Sequence, residues 1–414
     1  MSWRTKSARV WGRLGMKCEW NIVRLSDILQ DKGYIRGPFG SALKRGDMKD
    51  SGIPVYEQQH AIYNTRIFRY FIDSDKFTEM KRFQVQSDDL IISCSGTVGK
   101  VSIIQDDDPK GIISQALLLL RVDKSKILPL FLKYFFISNK GYNAIVSRSS
   151  GSVQVNIAKR NVIEQIPISL PPIDTQKKIV TLLGRIDDKI ELNNAINKNL
   201  GELLYALYDN AVATSDSVNE VMLSTLCNFQ EGYVNPAQTH PEYFDGDVKW
   251  LRAVDINESF IIDTSRTLTK AGFESAKKSA LLFKPNTIAI SKSGTIGRLG
   301  IIADYMCGNR AVINIVPHDT NMLPLIYCFL KSKQREFPNM AVGSVQKNLY
   351  VSLLEPLKVT ILDDDFLDSF NSIASSLLDA IHNNCLENSK LVNLRDIILP
   401  RLMSGELDVS DIEF

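Results

Sequence analysis

The sequence is written twice, and this limits the possible folds more than any other property. Ser95-Gly96-Thr97-Val98-Gly99-Lys100 returns as Ser293-Gly294-Thr295-Ile296-Gly297-Arg298, an offset of 198 residues. Pro129-Leu130 returns as Pro324-Leu325 at 195. Gly151-Ser152-Val153-Gln154-Val155-Asn156 returns as Gly343-Ser344-Val345-Gln346-Lys347-Asn348 at 192. Three matches in the same order, with an offset that drifts by a few residues, mark a tandem duplication of a unit of about 195 residues. A chain of 414 residues with 44% hydrophobic and 23% charged residues can bury a core in each copy.

Each copy has the same internal plan. Leu90-Ile91-Ile92-Ser93-Cys94, the Ser-Gly-Thr turn, and Val98 to Ile104 read as two short strands around a turn. Thr287-Ile288-Ala289-Ile290 and Ile296 to Ile302 repeat the pattern. Leu128 to Asn139 and Leu323 to Phe337 read as helices, so each copy mixes α and β structure.

The end of each copy is different. Leu170-Pro171-Pro172 stops the strand region, and Asp174 or Thr175 is placed to cap a helix. Apolar residues then recur at steps of three and four: Ile179, Leu183, Ile186 and Ile190, then Leu200, Leu204 and Leu207, with Asn193 and Asn197 between. The second copy offers Phe370, Ile373, Leu377 and Ala380, then Leu391, Leu394 and Ile398, with Asn384 and Glu387 between. Sustained 3-4 spacing is a coiled-coil seam, and buried asparagine in such a seam fixes register. Two separate amphipathic helices are the alternative, but about 40 uninterrupted residues span roughly 60 Å, longer than such a domain is wide. Connectivity makes the second helix run back along the first. The expected class is α+β: a tandem repeat of two mixed α/β domains joined by two long antiparallel coiled-coil helices with pseudo-twofold symmetry. The expected boundaries are a basic extension at 1–20, domains at 21–172 and 213–362, helices at 173–212 and 363–404, and an acidic tail at 405–414.

Catalytic and cofactor motifs do not fit. Ser95 to Val101 resembles a P-loop, but two residues separate its glycines where four are needed, and Val101 stands where Ser or Thr should hold magnesium. A tight turn explains the segment better. Asn235-Pro236-Ala237 and Leu170-Pro171-Pro172-Ile173 both fail the Asn/Asp-Pro-Pro-aromatic pattern of adenine methyltransferases, and Asp108-Pro109-Lys110 has no counterpart in the second copy. The six cysteines lack Cys-x-x-Cys spacing and the four histidines are far apart, so neither a zinc site nor a disulfide framework is expected. Free thiols in a reducing cytoplasm are the reading. No apolar run reaches the length of a membrane helix. Residues 1–20 lack the apolar core of a secretory signal; they have the basic composition of a transit peptide, or form an upstream extension with Met16 as an alternative start. The chain is expected to be no enzyme by itself and to hold no cofactor or metal.

The formal net charge of +2 divides unequally: +4 over residues 1–20, +6 over 21–172, −1 over 173–212, +1 over 213–362 and −8 over 363–414. Basic groups favour the globular parts and acids the helical ones. Loops rich in Gly, Ser, Gln and basic residues are candidate nucleic-acid contacts, since Arg and Lys neutralise phosphates while Arg and Gln read guanine and adenine in the major groove. In the first copy these are Arg36, Lys44, Arg45, Gln58, Gln59, Arg148, Ser152 and Gln154. In the second they are Arg252, Lys292, Arg298, Ser344, Gln346 and Lys347. For Gln154 and Gln346, beside Val153 and Val345, a buried hydrogen bond competes with base readout. Gly96 and Gly294 are turn formers first.

Taken together the residues resemble the specificity (S) subunits of type I restriction–modification systems, over nearly the whole chain. The resemblance is carried by Ile166 to Ile179, by Gly151 to Ile157 and Ser93 to Lys100, and by Asn235 to Asp255 with its Pro241-Glu242-Tyr243-Phe244 and Trp250. Leu399-Pro400-Arg401-Leu402-Met403-Ser404-Gly405 closes the second copy. The second long helix departs from the pattern, starting at Asp363-Asp364-Asp365 without a Leu-Pro-Pro lead. The resemblance implies two target recognition domains, each reading one half of a bipartite sequence in double-stranded DNA, with the helices acting as a ruler. It implies two methyltransferase (M) subunits carrying S-adenosylmethionine and two restriction (R) subunits using ATP and magnesium as partners, in the cytoplasm with no membrane. A protein-only scaffold and a self-contained methyltransferase or nuclease are the alternatives.

Overall fold

The computed structural model describes residues 20–39, 42–148, 156–214, 219–344 and 346–413. Most of the basic extension, and with it Ser152 and Gln154, lies outside the described residues. The chain forms two units, residues 1–187 with 393–414, and residues 188–392.

In the first unit an antiparallel sheet runs in the order Leu29–Arg36, Leu117–Val122, Leu90–Ser93, Val101–Ile103. The run Leu117-Leu118-Leu119-Leu120 explains itself here. Successive side chains of a strand point to opposite faces, and both faces of this sheet are covered. Leu118 and Leu120, with Leu90 and Ile92, enter one core against the helix Pro129–Ile137. Leu117 and Leu119, with Ile91, enter another with Tyr56 and Ala61. A second sheet joins Phe71–Ile72, Ile53–Tyr56 and Ile112–Ile113, the last two parallel. Asn21–Arg24 pairs with Pro167–Leu170 at the start and end of the unit.

The second unit repeats this plan. Its main sheet has the order Cys227–Glu231, Val312–Pro317, Thr287–Ser291, Leu299–Ile302, extended by Phe260–Ile261. Ile288, Ile290, Ile313 and Ile315 face one core, while Ala289 and Val312 face the other. Phe244–Leu251 runs parallel to Met306–Gly308, and Asn219–Met222 pairs with Lys358–Ile361. The duplication is thus one of topology as well as of motif.

Two helices, Ile173–Thr214 and Asp364–Ser404, contribute residues to both units. In the first unit Ile179 and Leu183 share a core with Leu399, Leu402 and Met403, and Arg395 pairs with Asp187 at 3.0 Å. In the second, Leu204, Tyr208 and Ala211 share a core with Phe370, Ala374, Leu378 and Ile381. There the amide of Asn193 donates to Glu387 Oε2 at 2.8 Å and to Asn388 Oδ1 at 2.9 Å, while Asn384 donates to Asn197 at 2.8 Å. Position falls along one helix as it rises along the other, so the pairing within this unit is antiparallel.

The seam of the first helix runs where the apolar spacing puts it: Ile179, Leu183, Ile186, Asn193 and Leu204 are buried, with Ile190, Leu200 and Leu207 half-buried. On the second helix the expected seam is displaced by one residue. Phe370 is buried, but Ile373 and Leu394 are 48% and 47% exposed and Leu377, Leu391 and Ile398 only half-buried. The buried residues are Ala374, Leu378, Ile381 and Leu399. Extended in threes and fours, that row passes through Cys385, Asn388 and Arg395, each with a polar partner across the seam or beside it. A reading that counts only apolar residues skips these positions and takes the neighbouring row. Among the described residues no helix is long and apolar enough to cross a membrane.

Removing a buried aliphatic side chain costs its transfer free energy plus the cavity left behind. Leu378→Ala is expected to lower the stability to urea by about 2–5 kcal/mol, and Ile373→Ala by less than about 0.5 kcal/mol. Equal losses in the two variants would put the seam back on the row of Ile373.

Candidate nucleic-acid interface

The two repeated motifs lie far apart in sequence and meet in space. In the first unit Ser93 donates its amide to Lys100 O, and its hydroxyl accepts from Lys100 N, both at 2.9 Å. In the second, Ser291 makes the same two bonds with Arg298 at 2.9 and 2.8 Å. The glycines between have positive φ, +67° and +85° at Gly96 and Gly99, +77° and +86° at Gly294 and Gly297. Such φ values suit glycine because it has no Cβ, so this segment is a turn and not a phosphate cradle. Each turn then ties down the second motif. Ile157 N donates to Cys94 O at 2.9 Å, and Leu349 N donates to Lys292 O at 2.9 Å. In the first unit Ser95 further bonds Asn156 through its hydroxyl and Gln58 Oε1 through its amide, at 2.8 and 3.0 Å.

The expected contact residues divide into exposed and engaged groups. Lys44, Arg45, Arg148, Ser344, Gln346 and Lys347 are exposed. Arg148 turns back to donate to Ala144 O at 2.7 Å. The exposure of Gln346 leaves its side chain outside any core, so the buried hydrogen bond considered for it is not made. Gln58 and Gln59 are half-buried, and Gln59 donates to Ile67 O at 3.3 Å. Arg36, Arg252, Lys292 and Arg298 are half-buried as well. Arg252 donates to Ser265 at 2.6 Å and lies over the Trp250 ring at 5.5 Å. Lys292 is paired with Glu231 at 2.6 Å and lies 5.2 Å from the centre of the Tyr350 ring.

Glu231, Tyr233, Tyr350 and Lys100 were not among the expected residues. Lys100 is exposed and lies 5.1 Å from the Tyr142 ring centre. Tyr233 donates to Glu231 at 2.7 Å. Burial raises the Glu231 carboxyl, but the Lys292 ammonium and the Tyr233 hydroxyl outweigh it and hold the group below its ordinary range. The signal for Glu231 lay in the repeat itself. Arg36-Gly37 and Glu231-Gly232 stand 195 residues apart, and a Cβ on either glycine would fall within 1.9 or 2.1 Å of a backbone oxygen.

His60, beside Gln58, is fully buried. Its Nδ1 accepts from Glu57 N at 2.7 Å, which leaves Nε2 to donate to Ile67 O at 3.1 Å. Among the described residues no group of three or more His, Cys, Asp and Glu is arranged to hold a metal ion. The five described cysteines are all free, and burial pushes the Cys94 thiol up to about 12 although the neighbouring Arg36 opposes it.

Comparison with known proteins agrees with this duplicated architecture. Residues 18–202 and 216–363 each match the type I restriction modification DNA specificity domain. The HindI type I restriction enzyme specificity subunit of Haemophilus influenzae is 22% identical over 388 residues, covering 75% of this chain and 84% of the relative. The MjaVIII specificity subunit of Methanocaldococcus jannaschii is 20% identical, covering 96% of this chain and 95% of the relative. The crystal structure of a type I restriction–modification S subunit from M. genitalium shares the fold, with a TM-score of 0.55 at 16% identity over 94% of this chain and 97% of that one.

Burial lowers the His60 pKa from 6.5, against the opposing effect of the Ile67 and Glu57 backbone bonds. The unfolded chain therefore binds the proton first. His60 contributes stability that is complete above about pH 6.5 and is lost as the pH falls below it. Thermal unfolding scans from about pH 7.5 to about pH 5.5 should show a steeper loss for the native chain than for His60→Gln; parallel curves would contradict this.

Proposed function

The chain belongs to the type I restriction modification DNA specificity family, and from this premise we propose that it recognises a bipartite DNA sequence on behalf of catalytic partner subunits. The observation that carries the proposal is the duplication. Two units share a family match, a topology and the same hydrogen-bonded junction, Cys94 with Ile157 and Lys292 with Leu349. Two such modules with different surface residues suit a target made of two unlike halves. Each unit reads one half.

Loops of both units supply the contacts. Exposed Lys44, Arg45, Lys100 and Lys347 provide phosphate neutralisation, which positions a protein on DNA without reading it. Arg36, Gln58, Arg252, Ser344 and Gln346 are candidates for base edges. The long helices hold the two modules at a set gap and dock two methyltransferase subunits, a symmetric pair of partners suiting a duplicated scaffold. Those subunits bring S-adenosylmethionine, and a target adenine leaves the stack to reach their pocket. Two restriction subunits, with ATP and magnesium, complete a cleaving complex. Methylation and cleavage belong to the partners, and this chain confers the sequence.

The near-zero net charge fits work inside a complex. The first unit carries most of the excess basic charge and the second must rely on local patches.

Replacing residues 213–362 with the equivalent segment of another specificity subunit should change one half of the recognised sequence and leave the other half intact. Restriction or methylation assays on target plasmids read this directly. A change in both halves would refute the modular reading. Binding of the complex to its target should also weaken steeply as salt rises, roughly in proportion to the number of phosphate contacts.

A further inference from the structure

The two units share the main backbone bonds of the turn, so positions where their chemistry differs are informative. Strand register equates them without ambiguity. Gly37 N donates to Leu117 O and Gly232 N to Val312 O; Cys94 N donates to Ala116 O and Lys292 N to Ala311 O. Ser93 pairs with Leu117 as Ser291 pairs with Val312. Arg36, opposite Leu118, therefore corresponds to Glu231, opposite Ile313. Cys94 corresponds to Lys292. At the end of the same strand, beside the same turn, one unit carries an arginine and the other a glutamate.

Resting on the reading of this chain as a DNA-recognition subunit, we propose that Arg36 and Glu231 are specificity determinants, each facing one base pair in its own half-site. Glu231 carries a negative charge where basic groups are expected. A carboxylate on a phosphate-binding surface repels the backbone, so its presence there needs a compensating group and a donor to meet. Lys292 compensates it at 2.6 Å, and Tyr233 orients Oε2 at 2.7 Å. The pair is mostly buried, with 24% of the Glu231 and 16% of the Lys292 side chain exposed, so loss of either charge leaves the other without its partner. Two exposed tyrosines, Tyr233 and Tyr350, border it. A carboxylate fixed in this way accepts from an exocyclic amino group, that of cytosine above all in the major groove.

Arg36 offers the opposite chemistry. Its guanidinium lies over the Phe39 ring at 5.6 Å, and Phe39 is 60% exposed. Its Nη1 is buried and has no hydrogen-bond partner, while the guanidinium otherwise donates to the neighbouring Cys94 thiol. A guanidinium with a nitrogen to spare matches guanine, whose O6 and N7 take two parallel bonds from arginine.

The test uses the full chain assembled with its methyltransferase partner and a panel of duplexes in which each base pair of the target is changed in turn. Glu231→Gln should lose about ten- to a hundred-fold in discrimination at one base pair of one half-site. Arg36→Gln should do the same at one base pair of the other half. Discrimination kept at every pair, a uniform weakening across all duplexes, or both variants acting in the same half would overturn the proposal. If either variant fails to fold, as judged by urea unfolding, Glu231→Asp and Arg36→Lys replace them and are read by the same criteria. A native complex that binds all duplexes alike would instead overturn the recognition reading beneath it.

Discussion

Burial of Asn193 against Glu387 and Asn388 is the interaction on which the helical part depends. An apolar seam alone tolerates sliding, because one leucine fills the place of another. A buried amide does not, since a slip of one turn, about 5.4 Å, leaves it and its partners without hydrogen bonds. The cluster of Asn193, Asn197, Asn384 and Asn388 joins the helices by side-chain amides. Within each unit the helices also share apolar cores, Leu204 with Leu378 in one and Leu183 with Leu402 in the other. The polar centre reduces stability in exchange for a fixed register.

Much of this could be read from the residues because duplication supplies its own control. The Ser-Gly-Thr turn, the strands beside it and the polar interruption of both helices recur at matched positions, so each instance supports the other. The seam of the second helix was misplaced by one residue for a physical reason. Arg395 sits in it only because Asp187 answers it from the other helix, and no local pattern reveals a partner 208 residues away.

The interface was less legible. Counting basic and amide residues picks out Lys44, Gln346 and Lys347, and these are exposed. It gives no warning that Arg252 is engaged with Ser265, or that Lys292 is paired with Glu231. It also passes over acids. The neutralising partner of Glu231, Lys292, lies 61 residues away in sequence.

The structural logic is one of common scaffold and variable tip. Sheets covered on both faces and a turn locked by Ser93 or Ser291 hold the strand ends rigidly in both units, and the residues at those ends are free to differ. The central claim, that each unit reads its own half of a divided target, is most directly tested by mapping methylated adenines across the host genome with and without this gene. The account predicts an asymmetric motif in two parts separated by a fixed gap, lost when the gene is deleted. A continuous or palindromic motif, or a methylation pattern unchanged by the deletion, would contradict it.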